Sequence, residues 1–236
     1  MKDWINNCIN SKYNIVKYLS DKPDSKTILL KNNELGKYLV YKNFSGNDEV
    51  YNILKQYTHK NIPLIYDVVK ENNSVTVFQE FIDGITVFDV LQTGVYSEHG
   101  VKIIILQICN ALCFLHSHNI IHRDIKPENI IITNNGNVKL IDFNVSKIYR
   151  PYQANDTKAL GTTGFAAPEQ FGFKQSDFRT DIFSLGILMN IMLTGQHPSA
   201  YLHKGKFTKL IEKCTAINPD KRCQTIEELI IKLKYL

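Results

Sequence analysis

Two carboxylates and a carboxamide stand at spacings that suit phosphoryl transfer. Asp124, Lys126 and Asn129 fall within Ile121-His122-Arg123-Asp124-Ile125-Lys126-Pro127-Glu128-Asn129, and Asp142-Phe143-Asn144 begins thirteen residues after Asn129. An ionised Asp can orient a hydroxyl for attack, while a second Asp and a neutral amide oxygen are donors of the kind that Mg2+ takes. A third cluster, Ala167-Pro168-Glu169, follows. One three-residue match would mean little, but ordered clusters are specific.

These side chains need a short loop and two strands to bring them together. Ile130-Ile131-Ile132 reads as a strand, Asn134-Asn135-Gly136 as a turn, and Val138 to Ile141 as a second strand with Asp142 at its end. Upstream, short strands are expected at Asn14 to Leu19, Thr27 to Leu30, Tyr38 to Tyr41, Leu64 to Val69 and Val75 to Phe78. One helix interrupts them at Asp48 to Tyr57, where Val50, Ile53, Leu54 and Tyr57 recur at helical spacing. Helices dominate from Val87 onward. The clearest runs from His99 to His116, with Ile103, Leu106, Ala111 and Leu115 as its apolar contacts, and others span Thr180 to Leu193, Phe207 to Cys214 and Thr225 to Leu236. The expected architecture is α+β: an extension over residues 1–12, a small sheet-rich lobe with one major helix over 13–82, and a compact, mostly helical lobe over 83–236, joined near Glu80 to Gly84.

Composition excludes some classes of function. The chain is 44% hydrophobic and 22% charged, which belongs to a folded protein with a core. A net charge of +5 is spread along the chain without a finger, helix-turn-helix or aromatic platform, so no nucleic-acid partner is expected. The five cysteines at 8, 109, 113, 214 and 223 form no metal-binding spacing, and Cys109 and Cys113 read as buried thiols of an apolar helix. The N-terminus lacks the apolar core and cleavage pattern of a secretory signal, and no run approaches eighteen uninterrupted apolar residues. A cytoplasmic protein without a membrane span is the expectation.

The ordered clusters resemble those of eukaryotic-type protein kinases: His-Arg-Asp, Lys-Pro-Glu-Asn, Asp-Phe-Gly and Ala-Pro-Glu. The resemblance covers residues 13 to 236. The segment from Gly161 to Gly172 is similar to the substrate-facing loop of small bacterial Ser/Thr kinases, and a prokaryotic source is expected from it. The resemblance implies a bilobal kinase fold that transfers the γ-phosphoryl group of ATP, with Mg2+ or Mn2+, to a Ser or Thr hydroxyl of a protein substrate. By the same implication Asp124 accepts the hydroxyl proton, Lys126 steadies the phosphoryl group and favours Ser/Thr over Tyr, and Asn129 and Asp142 hold the metal. Lys42, Glu80, Phe81, Ile82, Ile131, Asn129 and Asp142 would contact the nucleotide. Asp181, in Asp181-Ile182-Phe183-Ser184-Leu185-Gly186, would brace the catalytic loop, and Arg222 would pair with Glu169.

Departures from the family pattern favour a second reading, a pseudokinase or weak kinase working as an interaction switch. No glycine occurs from Leu19 to Thr27, where the family places a Gly-rich loop, and Ser20, Lys22 and Ser25 stand at the expected glycine positions. Val50 occupies the position of the acid that should pair with Lys42, so Glu49 serves only if the helix shifts or rotates. Asn144 replaces a glycine and is expected to tolerate a left-handed turn. A small-molecule phosphotransferase is disfavoured, because Ala167-Pro168-Glu169 belongs to the region that receives peptides. Thr157 and Thr163 are candidate autophosphorylation sites whose phosphate could order Arg123, whereas Thr162 is expected to support the catalytic loop through its hydroxyl. Only Ser199 to Lys206 separates His197-Pro198 from the next helix, an abbreviated lower lobe. No motif specifies a physiological substrate or an oligomeric state.

Overall fold

The computed structural model describes residues 11–151, 162–171 and 175–236. Expectations that fall on the first ten residues, Cys8 among them, and on Thr157, Gly161 and Gly172 lie outside the described residues. The chain divides into two compact units, one of Met1–His59 with Pro63–Ile82 and one of Lys60–Ile62 with Asp83–Leu236.

The first unit is a five-stranded antiparallel sheet with one helix. Strands β1 (Tyr13–Lys22), β2 (Ser25–Asn32), β3 (Tyr38–Ser45), β4 (Ile65–Glu71) and β5 (Ser74–Glu80) lie in the order β1-β2-β3-β5-β4. Alternation separates the two faces. Ile28 and Leu30 pack with Leu39, Tyr41 and Phe78 on one face, while Val40, Lys42 and Phe44 of β3 are buried on the other. Helix α1 (Glu49–Leu54) buries Val50, Tyr51 and Leu54, and the Tyr51 ring stands 5.6 Å from that of Phe44.

Two boundaries differ from the sequence expectation. The region read as a loop from Leu19 to Thr27 is mostly ladder, with Ser20 opposite Thr27, Asp21 opposite Lys26 and Lys22 opposite Ser25, so only Pro23 and Asp24 turn the chain. Opposite charges at Asp21 and Lys26 favour that pairing. Helix α1 is shorter than the periodicity implied, because Gln56 and Tyr57 donate to the carbonyls of Ile53 and Leu54, three residues back, in a tightened final turn. Tyr57 is consequently exposed, outside the core.

The second unit is mostly helical. It contains β6 (Gly84–Thr86), α2 (Val87–Leu91), α3 (Glu98–Ser117), β7 (Ile120–Ile121), β8 (Ile130–Thr133), β9 (Val138–Leu140), β10 (Lys147–Ile148), α4 (Arg179–Thr194), α5 (Thr208–Cys214) and α6 (Ile226–Lys234). Strands β6, β8 and β9 form one small sheet, and β10 pairs with β7. Thr86 starts α2 with a capping box, its hydroxyl accepting from the Asp89 N–H while the Asp89 carboxylate accepts from the Thr86 N–H. Gly186 on α4 permits a close crossing with α5, since a Cβ there would stand 2.7 Å from the Cys214 Cβ. The sheet-rich first unit and helical second unit agree with the α+β expectation.

Helix α3 lies at the centre, packed against α4 and α6. Its buried stripe is Val101, Ile104, Ile105, Ile108, Cys109, Ala111, Leu112 and Leu115. Ala111 and Leu115 match the expected contacts, whereas Ile103 is exposed and Leu106 only half-buried. Each residue step turns a helix by about 100°, so Ile103 falls off the stripe that Ile104 and Ile108 define. By length and composition α3 could cross a membrane, but the eight residues of its buried stripe form the core of this unit. Cys109 is buried as expected and Cys113 is half-buried, and both are free thiols.

Candidate active site

A buried carboxylate organises the loop that carries Asp124. Asp181, at the start of α4 and fully buried, accepts from the backbone N–H groups of His122 at 3.0 Å and Arg123 at 2.9 Å and from the His116 ring at 2.9 Å. Burial alone would raise its pKa, but the His116 bond, the nearby His122 and these amides together hold it below the usual carboxylate value. The bracing expected of Asp181 is therefore present. Arg123 adopts φ 65°, a left-handed conformation uncommon for a residue with a side chain. Its N–H to Asp181, its Nε to the Val145 carbonyl at 2.7 Å and its carbonyl accepting from Gln170 Nε2 at 3.0 Å hold it there.

Around this brace the chemistry-bearing side chains converge. Pro127 opens a single 3-10 turn, Pro127–Asn129, whose first position suits its fixed φ. The turn brings Asn129 back to Asp124: Asn129 Nδ2 donates to the Asp124 carbonyl and to its Oδ2, each at 2.8 Å. Lys126 Nζ lies 2.9 Å from the same Oδ2 and donates to Thr162 Oγ1 at 2.7 Å. Thr162 in turn donates to Asp124 Oδ1 at 2.6 Å. A carboxylate offers about four lone-pair sites, and three donors fill all but about one of them. The remaining site can take the proton side of a hydroxyl. Thr162 thus supports the loop as expected.

His122 joins the Asp124 loop to the Asp142 segment. Its Nδ1 accepts from the Asp124 N–H at 3.3 Å, so Nε2 carries the hydrogen and donates to the Ile141 carbonyl at 3.2 Å. Burial holds this imidazole below its ordinary pKa against the pull of Asp181, Asp124 and Asp142, in keeping with a neutral ring. Its ring meets that of Phe143 edge-on, with centroids 5.1 Å apart. The Ile141 N–H donates to the Asn129 carbonyl at 2.9 Å, which places the backbone before Asp142 against Asn129. The left-handed residue of this turn is Asp142 itself, at φ 69°, and Asn144 has no positive φ. The tolerance expected at Asn144 is needed two residues earlier.

Lys42 is buried in β3 at 5% exposure, between Thr27 of β2 and Val77 of β5. Val50 is buried on α1, while Glu49 is its first residue and half-buried. The Glu80 carboxylate accepts from the Leu64 N–H at 3.0 Å, the Phe81 ring meets that of Tyr38 at a tilt of 50° with centroids 5.8 Å apart, and Ile82 is buried. Ile131 sits in β8 between Thr86 and Lys139. Arg222 and Glu169 form the expected pair, bidentate at 2.7 and 2.9 Å.

Gln170 was missed by sequence reasoning. Beyond its bond to Arg123, its Oε1 accepts from the Ala167 N–H at 2.9 Å, so it ties the Ala167-Pro168-Glu169 turn to the loop that carries Asp124. Its position directly after Glu169 was the available signal. His122 was seen only as part of a motif, without its bridging bonds.

The residues present suit a hard cation. Asn129 spends Nδ2 on Asp124, which leaves Oδ1 for a ligand, and Asp142 adds a carboxylate. Among the described residues no group of three or more His, Cys, Asp or Glu could hold a metal by itself. Such a sparse oxygen set fits Mg2+ bound chiefly by substrate phosphates and water.

Comparison with known proteins agrees with this geometry. Residues 13–235 match the protein kinase domain family. Myosin light chain kinase 3 of Rattus norvegicus is 34% identical over 169 residues, covering 69% of this chain and 21% of the relative. The Homo sapiens protein of that name is 34% identical over 151 residues, covering 62% and 18%. Serine/threonine-protein kinase max-2 of Caenorhabditis elegans is 30% identical over 200 residues, covering 75% and 31%. The aligned part is between about a fifth and a third of these relatives' length. These are animal proteins, and the bacterial leaning read from Gly161 to Gly172 draws no support from them. With Asp124 clasped by Lys126, Asn129 and Thr162, and with residues 13–235 matched, the chain belongs to the eukaryotic-type protein kinase family, whose α+β fold it adopts.

Proposed function

We propose that this chain is an active protein Ser/Thr kinase domain that transfers the γ-phosphoryl group of ATP to a protein hydroxyl. The observation that carries this reading is the closed cluster of Asp124, Lys126, Thr162 and Asn129, because a binding-only domain has no need to aim a carboxylate with three separate donors. Asp124 holds the acceptor hydroxyl at its remaining lone pair and takes up its proton. Lys126, already at that carboxylate, places positive charge beside the transferred group. Asn129 Oδ1 and Asp142 would hold Mg2+ or Mn2+, which when bound neutralises phosphate charge. Within the first unit, Lys42, Glu80, Phe81 and Ile82 are the residues that would contact the nucleotide. Most of the acceleration would come from alignment and charge stabilisation. The similarity to max-2, named a serine/threonine-protein kinase, supports a Ser/Thr acceptor. Thr163, which is exposed, remains a candidate acceptor for autophosphorylation.

The tight, glycine-free turn between β1 and β2 favours the second reading, a pseudokinase or weak kinase that works as an interaction switch. Labelled ATP incubated with the protein and Mg2+ separates the two. Acid-stable label on Ser or Thr supports the enzyme, and nucleotide binding without transfer supports the switch.

Two variants test the assigned roles. Asp142→Ala is expected to weaken Mg-ATP binding by at least about 10-fold, the scale seen when a metal site loses support. Unchanged affinity in a titration with Mg2+ would remove Asp142 from the metal site. Thr162→Val keeps the shape but deletes the hydroxyl. Hydrogen bonds to charged groups contribute about 1.5–3 kcal/mol, so steady-state kinetics should show kcat lower by about 10- to 150-fold with KM for ATP unchanged. A raised KM at constant kcat would contradict a role in aiming Asp124.

A further inference from the structure

The cysteines among the described residues are free thiols, and two of them touch. Cys214 is the last residue of α5, and Cys223 stands two residues before the Thr225 cap of α6. The Cys214 S–H donates to the Cys223 sulfur. Arg222 fastens the chain between them, its Nε donating to the Ala216 carbonyl at 2.8 Å and its Nη2 to that of Ile217 at 3.2 Å. The residue before Cys223 is thus tied to the turn that leaves Cys214. Alongside, Lys213 Nζ lies 2.8 Å from Glu228 Oε1 and joins α5 to α6. Both thiols are buried, but the segment that links them runs along the surface, with Ile217 80% exposed and Asn218, Asp220 and Lys221 exposed beside it. A short surface turn opens more readily than the α3 and α4 core.

We propose that Cys214 and Cys223 are a site of reversible oxidation, closing to a disulfide when the protein meets hydrogen peroxide. The Cys223 thiolate attacks one peroxide oxygen, the O–O bond breaks, and the departing hydroxide takes up the proton that Cys223 gave, leaving a sulfenic acid and water. The Cys214 sulfur then attacks the Cys223 sulfur, the S–O bond breaks, and a second water leaves with the Cys214 proton. Two electrons pass from the sulfurs to the peroxide. The other described thiols lack this arrangement. Burial pushes Cys109 above the ordinary thiol value, and Cys113, raised to about 11 chiefly by burial, donates to Glu227. Cys223 is shifted the other way, because the bond from Cys214 favours its thiolate and Lys213 and Lys232 add positive charge, against its burial and Glu228.

The test exposes the folded, reduced protein to graded hydrogen peroxide, blocks the remaining thiols with iodoacetamide and digests it with trypsin in the absence of reductant. Cleavage after Lys213, Lys221 and Arg222 puts Cys214 and Cys223 on separate peptides, so a disulfide shows as a joined pair in mass spectrometry. Thiols held in contact react at high effective concentration, and this pair should exceed every other disulfide by about tenfold or more. Dithiothreitol should release both peptides. Cys214→Ser and Cys223→Ser should each abolish the joined pair, and Cys113→Ser should keep it. A dominant link through Cys8, Cys109 or Cys113 would overturn the proposal. So would sulfinic or sulfonic acid at Cys223 with Cys214 still reduced, or a joined pair that forms only after denaturant has unfolded the chain.

Discussion

Asp124→Ala is expected to lower kcat by about 10²–10⁴-fold while leaving Mg-ATP affinity within a factor of about two. The rate loss is the usual contribution of a positioned general base. Asp124 accepts from Thr162, Asn129 and Lys126, and its substitution releases all three donors. None of those bonds touches Asp142, whose segment is held through His122 and the Ile141 carbonyl. Binding and turnover should separate for that reason. Stopped-flow binding and initial-rate kinetics on the same preparation read both. Loss of ATP affinity as large as the loss of rate would mean that Asp124 shapes the nucleotide site.

Arg222→Ala is expected to destabilise the second unit by about 3–5 kcal/mol, the cost of leaving one member of a buried ion pair alone. All five guanidinium donors are committed. Nη1 donates to Glu169 and the Arg179 carbonyl, Nη2 to Glu169 and the Ile217 carbonyl, and Nε to the Ala216 carbonyl. The plane also lies 4.8 Å from the Phe183 ring. Removing it strands the Glu169 carboxylate, whose side chain is 8% exposed, along with carbonyls from two segments. For a chain of this size the melting temperature should fall by roughly 6–20 °C. The double variant Arg222→Met, Glu169→Leu should recover part of that loss, because an apolar pair of similar volume often replaces a buried ion pair at little cost. Thermal unfolding of the single and double variants measures this. A double variant that melts below both singles would show that the carbonyl bonds, and not the pair, dominate.

Much of the site was legible because its determinants are local. Asp124, Lys126 and Asn129 lie within one turn of chain, and Pro127 together with the following Ile run marks a short turn before a strand. The Asp181 brace and the Arg222 to Glu169 pair are long-range, and they were anticipated only through the family resemblance. Boundaries proved less readable. Asp21 opposite Lys26 extends a ladder through residues that look like a loop, and the periodicity of α1 continues to Tyr57 although the backbone tightens after Leu54. On α3 an almost continuous apolar run hides which face is buried, so Ile103 and Ile104 cannot be told apart by composition. Positive φ at Asp142 was missed because no propensity argument places an Asp in a left-handed turn ahead of a neighbouring Asn. The cross-links made by His122 and Gln170 depend on atoms rather than residue types, so the place of Gln170 directly after Glu169 signals the residue but not its two bonds.

The central claim is that Asp124 directs phosphoryl transfer from ATP to a Ser or Thr hydroxyl. Its most direct test is incorporation of label from γ-labelled ATP with Mg2+, run side by side on the wild type and Asp124→Ala, with the labelled residue mapped. The wild type should carry label on a Ser or Thr, and the variant essentially none. Equal label in both proteins, or ATP binding with no label in the wild type, would contradict it.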